Sequence, residues 1–232
     1  MKLAFPAAPP VLLPVAETDL SFPVRRIYCV GRNYAAHARE MGFDPEREPP
    51  FFFCKPTDAI VYVAPGGIGT FPYPVATNNC HYEMELVAAI GKRGRDLAPA
   101  DALDHVYGYA LGLDMTRRDL QVRMREMGRP WDVGKAFDHS APIGPIHRAT
   151  EVRHPDKGAI WLQVNGVIRQ SADLADLIWS VGEIVACLSR FFELVPGDLI
   201  YTGTPEGVGA VVKGDRIRAG IDSLGEFELV VV

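Results

Sequence analysis

Short β-like segments dominate this chain, and they do not alternate regularly with helices. Apolar and β-branched runs bounded by turn residues predict strands, here at residues 24–30, 51–54, 59–63, 82–90, 106–113, 161–170, 198–201, 216–221 and 227–232. The segment 161–170 contains Asn165-Gly166, which favours a hairpin with a type I′ turn. Because regular strand–helix alternation is the mark of a doubly wound sheet, this pattern instead predicts an α+β fold whose sheet is mixed and largely antiparallel.

The strongest helical signal covers residues 180–192. The segment begins with Ser180-x-x-Glu183, which is a capping box. Its apolar residues recur at helical spacing and predict one buried face, made of Val181, Ile184, Val185, Leu188, Phe191 and Phe192.

Two further helices are predicted from weaker signals. Residues 116–127 begin with Thr116-x-x-Asp119, a relative of the capping box, and are followed by glycine and proline. Residues 33–41 are rich in helix formers, and Gly42 is a plausible C-terminal stop.

Length and composition favour one large domain preceded by an arm. The chain has 232 residues and a net charge of −5, which gives no electrostatic basis for binding nucleic acid. Residues 1–23 are proline-rich and predict an extended arm, and residues 24–232 are expected to form a single domain. The prolines would interrupt a signal peptide, and no run is long enough to span a membrane, so we expect a cytoplasmic protein.

The four cysteines are widely spaced and contain no Cys-x-x-Cys pair. They lie at Cys29, Cys54, Cys80 and Cys187. This spacing disfavours a zinc site, a redox motif and a disulfide framework. A reducing compartment is therefore expected.

Glycine-rich segments in this chain do not match nucleotide-binding motifs. Residues 65–69 lack the Gly-x-Gly-x-x-Gly pattern, and in residues 129–136 Arg129 and Ala136 replace the first glycine and the hydroxyl residue of a phosphate-binding loop. Residues 202–209 are predicted to form a tight loop close to a ligand. Nucleotide binding is disfavoured.

Two glutamates lie within the predicted strand 82–90. Because alternate residues of a strand share a face, Glu83 and Glu85 fall on one side with Val87 and Ala89, and the opposite side is apolar. Two like charges side by side are costly unless water or a cation neutralises them. The strand end is therefore either a cation site or an ordinary solvent-facing edge.

A third carboxylate, Asp114, follows the apolar run 106–113 and precedes a predicted helix, a position that suits a binding site or a helix cap. Three carboxylates form a hard oxygen set, which suits Mg²⁺, Mn²⁺ or Ca²⁺ better than Zn²⁺. On the helix, Arg118 and Gln121 share a face. Arg118 is either a bidentate ligand for a substrate carboxylate or an ordinary surface charge.

A histidine and a lysine are candidates for proton transfer and charge neutralisation. His37 and Glu40 are spaced i, i+3, so the carboxylate could orient the imidazole as a general base requires; the alternative is a solvated surface pair. Lys135 lies among apolar residues and would need an anionic partner there. Its alternative is a lysine that extends its ammonium group to solvent.

Taken together, these motifs resemble those of the fumarylacetoacetate hydrolase family, in the family's order and over almost the whole chain after the arm. The similar stretches are residues 28–40, 53–56, 82–86, 108–121, 135–138, 142–145, 165–166, 196–198 and 202–209. The sequences around Asp114 and Trp131 are more similar to the acylpyruvase and fumarylpyruvate hydrolase subgroup than to the larger fumarylacetoacetases.

The resemblance implies a β-roll fold, usually a homodimer, that holds Mg²⁺ or Mn²⁺ through Glu83, Glu85 and Asp114. By position, His37 and Glu40 match the dyad that activates water. The residues that match the surroundings of the substrate carboxylate and carbonyl oxygens are Arg118, Gln121, Lys135 and Thr204, and Lys135 is also assigned a catalytic role.

The function implied is hydrolysis of a carbon–carbon bond in a 2,4-dioxo acid, with 3-fumarylpyruvate cleaved to fumarate and pyruvate. Oxaloacetate decarboxylation and 2-oxo-acid tautomerisation would use the same metal site and remain alternatives. A non-catalytic binding protein is a third hypothesis, but it would be expected to lack part of the site. Because His37 and Glu40 are both present, hydrolysis is preferred.

Overall fold

Strands form most of the regular structure in the computed structural model of the protein, which describes residues 2–41 and 48–232. The strands are β1 (Leu12–Pro14), β2 (Ser21–Pro23), β3 (Arg26–Gly31), β4 (Phe51–Lys55), β5 (Ile60–Tyr62), β6 (Ile68–Phe71), β7 (Cys80–Tyr82), β8 (Met84–Ile90), β9 (Val106–Leu113), β10 (Thr116–Arg117), β11 (Ala141–Ile143), β12 (His147–Arg148), β13 (Ala159–Val164), β14 (Val167–Asp173), β15 (Asp198–Tyr201), β16 (Gly209–Val211), β17 (Arg216–Ile221) and β18 (Gly225–Val231). The helices are α1 (Ala35–Glu40), α2 (Arg118–Glu126), α3 (Asp132–Lys135), α4 (Ala149–Val152) and α5 (Val181–Phe191).

Within residues 2–41 and 48–232 the strands form one large sheet and three smaller ones. The large sheet has the order β4-β3-β15-β8-β9-β11-β5, with β12 paired to β9, and a five-stranded sheet has the order β14-β13-β17-β18-β6. A three-stranded sheet, β10-β7-β16, and the β1–β2 hairpin complete the set. Among the described residues three pairs, β3–β15, β5–β11 and β6–β18, are parallel, and the other pairs are antiparallel. The predicted α+β fold with a mixed, largely antiparallel β-roll is confirmed.

Strand β8 lies at the centre of the large sheet and divides the hydrophobic core. Every residue of β8 is buried. Its even-numbered residues belong to the larger apolar cluster, and Val87 and Ala89 belong to the smaller one on the other face. The predicted division of this strand into two faces is confirmed, and it places the two glutamates on the side of the smaller cluster.

Helix α5 begins as predicted, but its C-terminal end differs. Ser180 Oγ accepts a hydrogen bond from Glu183 N, and Glu183 Oε2 accepts one from Ser180 N at 3.0 Å, which completes the capping box. The prediction that Phe191 and Phe192 are buried is wrong, because their exposed fractions are 65% and 39%. Phe192 is extended, so helical spacing does not fix which way it faces, and Phe191 is the last residue of the helix.

Helix α2 begins two residues later than predicted. Thr116 pairs with β7 as part of β10, and its hydroxyl donates to Asp114 O at 3.1 Å instead of capping the helix. Asp119 accepts a hydrogen bond from Thr77 Oγ1 at 2.6 Å. The predicted Thr116 cap is therefore wrong, because strand pairing takes precedence over the local signal.

The proline-rich segment contains the β1–β2 hairpin, and Leu13, Val15 and Phe22 are buried in the smaller apolar cluster. The division into an arm of residues 1–23 and a catalytic domain of residues 24–232 remains a prediction.

The turn residues Asn165 and Gly166 have φ angles of 52° and 78°, which confirms the type I′ turn. The predicted stop at Gly42 lies outside the described residues. No helix within residues 2–41 and 48–232 is both long and apolar enough to cross a membrane.

Candidate active site

The three predicted carboxylates meet where β7, β8 and β9 adjoin. Glu83 links β7 to β8, Glu85 lies in β8, and Asp114 follows β9, which pairs antiparallel with β8. Asp114 N donates to Glu83 O at 2.9 Å, so strand pairing holds the two residues together. One carboxylate oxygen from each residue lies within 4.8 Å of the others, and their exposed fractions are 5%, 2% and 0%. The solvent-facing alternative is therefore wrong.

Cationic side chains surround this cluster unevenly. Lys135 Nζ donates to Glu83 Oε2 and to Asp114 Oδ2, both at 2.6 Å, and Arg118 forms an ion pair with Glu83. Lys55 Nζ lies 2.7 Å from Asp114 Oδ1, but the contact lacks the angles of a hydrogen bond. Glu85 accepts a hydrogen bond from Gly203 N at 2.8 Å. Because Lys135 is only 2% exposed, the alternative of a solvent-reaching lysine is wrong.

The uneven arrangement gives the two glutamates opposite pKa shifts. Burial raises the pKa of Glu83, but Lys135 and Arg118 outweigh burial and lower that pKa overall. Burial raises the pKa of Glu85 well above its usual value, and the charges of Asp114 and Glu83 raise it further. An ionised Glu85 therefore lacks full compensation from the protein, and a bound cation would supply it.

The donor set fits a hard divalent cation. It consists of oxygen atoms from Glu83, Glu85 and Asp114, and Asp114 Oδ1 accepts no hydrogen bond within the described part of the chain. Carboxylate oxygens are the ligands that Mg²⁺ and Mn²⁺ prefer. These residues could therefore hold either ion.

His37 and Glu40 form a hydrogen-bonded pair on α1. His37 Nδ1 lies 3.2 Å from Glu40 Oε2, and Glu40 also accepts from Gly207 N at 3.1 Å. Because an ionised carboxylate only accepts, Nδ1 carries the proton and Nε2 is left as an acceptor in the neutral ring. His37 is 7% exposed, which is inconsistent with a solvated surface pair.

Replacing Glu40 with glutamine should lower the pKa of His37. Burial already lowers this pKa, while the charge of Glu83 and the hydrogen bond and charge of Glu40 raise it. Removing the Glu40 charge therefore takes away part of what opposes the effect of burial on the pKa of His37. The imidazole should then become protonated only at lower pH. An NMR titration of the imidazole would measure the change, with Glu126→Gln on the exposed side of α2 as the matched control. An unchanged or higher pKa in Glu40→Gln would contradict the pairing.

The remaining predicted residues lie in the same cavity. Arg118 Nη1 donates to Gln121 Oε1 at 2.6 Å, and Thr204 Oγ1 accepts from Gln170 Nε2 at 2.8 Å. Eight of the nine predicted site residues line one cavity, namely His37, Glu83, Glu85, Asp114, Arg118, Gln121, Lys135 and Thr204. Glu40 holds His37 from its Nδ1 side.

A sequence profile described as "Fumarylacetoacetate (FAA) hydrolase C-terminal" matches residues 26–232. The chain belongs to the fumarylacetoacetate hydrolase family. It is 48% identical to a fumarylpyruvate hydrolase from Ralstonia sp. over 81% of this chain and 95% of that protein. It is 42% identical to a mitochondrial oxaloacetate tautomerase from Arabidopsis thaliana, over 89% of this chain and 90% of that protein.

Solved structures agree with this membership in the fumarylacetoacetate hydrolase family. The fold matches the crystal structure of fumarylpyruvate hydrolase from Pseudomonas aeruginosa in complex with Mn²⁺ and pyruvate, with a TM-score of 0.98 and 64% identity. The match covers 100% of this chain and 99% of that one.

The site of this family member also contains residues to which the sequence analysis gave no role. Lys55 is buried against Asp114, and its position in the stretch 53–56 was the available signal. Phe51, Phe53 and Trp131 line the cavity. Three consecutive phenylalanines begin β4, and alternation could have shown that two of them share a face, although not that this face is the cavity side.

Proposed function

We propose that the protein is a metal-dependent hydrolase that cleaves 3-fumarylpyruvate to fumarate and pyruvate. The observation that carries this proposal is the shared cavity, which is lined by the carboxylate cluster and by His37, whose Nδ1 is held by Glu40. The relatives with fumarylpyruvate hydrolase activity in their names, at 48% and 64% identity, support the same reaction.

Glu83, Glu85 and Asp114 would hold the ion, which we propose to be Mg²⁺ or Mn²⁺. When bound, such an ion polarises carbonyl and carboxylate oxygens and stabilises negative charge that develops on them. The guanidinium of Arg118 and the ammonium of Lys135 are within reach of the same cluster. They offset the charge of the substrate's 2-oxo carboxylate, while Gln121 and Thr204 supply polar contacts that position it.

His37 acts as the general base in this proposal. Its Nε2 accepts a proton from water while Glu40 holds the Nδ1–H. The resulting hydroxide attacks the C4 carbonyl carbon, and the C3–C4 bond breaks with its electron pair remaining on the pyruvate fragment. Fumarate leaves with one oxygen from water, and protonation of the pyruvate enolate at C3 gives pyruvate.

Oxaloacetate tautomerisation is the second candidate function, because a tautomerase is 42% identical to this chain. Tautomerisation and decarboxylation both develop enolate charge, but neither requires an attacking water. A dyad suited to activating water therefore favours hydrolysis. A non-catalytic binding protein is disfavoured, since the chain retains all nine predicted site residues.

A product assay tests the proposed reaction. Metal-depleted protein would be given fumarylpyruvate, acetylpyruvate or oxaloacetate, with and without added Mg²⁺ or Mn²⁺, and the products separated by chromatography. We expect equal amounts of fumarate and pyruvate from fumarylpyruvate, only with metal added. Turnover of oxaloacetate alone would favour the tautomerase or decarboxylase function instead.

We also propose that the protein is a homodimer, as the family resemblance implies. Phe191 and Phe192 expose large apolar surfaces in the single chain, and burial between subunits would remove that surface from water. Sedimentation velocity at micromolar concentration should give the mass of two chains. Sedimentation as a 25.5 kDa species would contradict the proposal.

The cytoplasm is the proposed location. Cys29, Cys54, Cys80 and Cys187 are all unpaired. Unpaired cysteines are typical of proteins that work in a reducing compartment.

A further inference from the structure

The active-site cavity has a second cationic region, to which neither the proposed reaction nor the carboxylate cluster assigns a role. Arg32 follows β3 and Arg125 lies near the end of α2, and both side chains line the cavity. Burial lowers the pKa of Arg32, Glu48 opposes that effect, and the Arg125 guanidinium lowers the pKa further. Arg32 and Arg125 therefore place two positive charges on the lining of the same cavity, and Arg32 Nη1 also lies 4.0 Å from Glu48 Oε2.

Aromatic rings connect this second region to the carboxylate cluster. Lys135 Nζ lies 5.1 Å from the ring centroid of Phe53, whose ring is 5.8 Å from that of Trp131. The Trp131 ring is 5.3 Å from that of Phe51, and Arg32 Cζ lies 5.4 Å from the Phe51 ring centroid. The cavity thus has a continuous aromatic wall with a cationic group at each end.

The backbone at Arg32 is held in a conformation that non-glycine residues seldom adopt. Its φ angle is +58°, a left-handed conformation that persists only where surrounding contacts impose it. The next residue supplies such contacts: Asn33 Nδ2 donates to Thr202 O at 2.8 Å, and Asn33 Oδ1 accepts from Trp179 N at 2.7 Å. The backbone of Arg32 is therefore held in place where its side chain lines the cavity.

We propose that Arg32 and Arg125 bind the distal carboxylate of a dicarboxylic 2,4-dioxo acid, whose unsaturated chain lies along the aromatic wall. This assignment rests on the proposed hydrolase function and names the groups that select its substrate. A guanidinium binds a carboxylate through two parallel hydrogen bonds, and a planar conjugated chain suits contact with aromatic rings. An acyl group that ends in a methyl offers no carboxylate to either guanidinium, so the cavity favours the dicarboxylic substrate.

Arg125→Met tests this assignment through a ratio of substrates. The measured quantity is kcat/KM for fumarylpyruvate divided by kcat/KM for acetylpyruvate, which lacks the distal carboxylate. Loss of a hydrogen bond to a charged group should lower this ratio by about 10- to 100-fold. Arg123→Met removes the same charge from the exposed side of the same helix and should leave the ratio at the wild-type value.

Arg32→Gln provides a second variant at the other guanidinium and should lower the ratio in the same direction. Thermal unfolding of each variant identifies any that fails to fold. If both folded variants lose activity on the two substrates by the same factor, the residues do not recognise the distal carboxylate and the assignment is wrong.

A binding measurement separates this assignment from the proposed reaction. If the wild-type protein cleaves neither 2,4-dioxo acid, the proposed function fails, and calorimetry on Mn²⁺-loaded protein then tests the arginine pair alone. Fumarate should bind more tightly than crotonate, which lacks one carboxylate, by about tenfold or more, and Arg125→Met should remove the difference. Equal affinity of the wild-type protein for fumarate and crotonate would overturn the assignment.

Discussion

Replacing His37 with alanine should lower the rate of fumarylpyruvate hydrolysis by about 10²–10⁴-fold, the usual contribution of a general base. The substitution removes the only nitrogen acceptor that we assign to water activation. It leaves Glu83, Glu85 and Asp114 in place, because His37 lies on α1 and makes no hydrogen bond to them in the described structure. The affinity for Mn²⁺, followed by calorimetry, should therefore remain close to that of the wild-type protein.

Two comparisons make the His37 result specific. Any oxaloacetate decarboxylation should fall less than hydrolysis, because carbon dioxide departs without an attacking water. Glu40→Gln should show the same pattern more mildly, since the imidazole is retained but loses its orienting charge. Hydrolysis by His37→Ala at the wild-type rate would show that the dyad assignment is wrong.

Replacing Glu85 with glutamine should abolish metal-dependent activity without destabilising the metal-free protein. The substitution removes one of three proposed ligands, so Mn²⁺ affinity should fall by at least about 100-fold, the upper end of the loss seen for residues that merely support a metal ligand. The pKa of Glu85 is raised on folding. A carboxyl whose pKa is raised on folding destabilises the folded state at pH values above its unfolded pKa. Glu85→Gln removes that cost, so the free energy of unfolding of this variant should be the same as or greater than that of the wild-type protein near pH 7.

Asp114→Asn is the matched comparison, because it also replaces one proposed carboxylate ligand with an amide of nearly the same shape. Asp114 neutralises Lys135 and Lys55, both of which are buried. Loss of one partner of a buried ion pair typically costs about 3–5 kcal/mol, so Asp114→Asn should lower the free energy of unfolding where Glu85→Gln does not. Chemical denaturation of the chelated proteins would measure both. Equal destabilisation by the two substitutions would contradict the charge distribution described for the cluster.

Features governed by local periodicity were predictable from the sequence. Strand β8 has alternate faces because its residues alternate along an extended backbone, and Ser180 and Glu183 cap α5 because their spacing alone brings them together. Tertiary pairing overrode local signals elsewhere. Thr116 joins β10 instead of capping α2, and Phe192 is extended where α5 ends, beyond the reach of the helical period.

The nine predicted site residues could be selected from the sequence, but neither the place of Lys55 in the site nor the electrostatics of the cluster could. Single motifs left most of these residues with an ordinary alternative, and only their joint resemblance to a family selected the set. Spacing could not show that Lys135 contacts both Glu83 and Asp114 or that Glu85 is left with little compensation, because these contacts join residues far apart in the chain. The aromatic wall likewise depends on how β4 packs against Trp131.

The central claim is that Glu83, Glu85 and Asp114 form one centre for a divalent cation, and anomalous diffraction from crystals soaked in Mn²⁺ tests it most directly. We expect one anomalous peak per chain in the active-site cavity, with an oxygen of each carboxylate about 2.0–2.6 Å away, the range of hard cations in proteins. Lys135 Nζ should then no longer bridge Glu83 and Asp114 as it does without the ion. An anomalous peak only at another place, or no peak beside the three carboxylates in the presence of Mn²⁺, would contradict the claim.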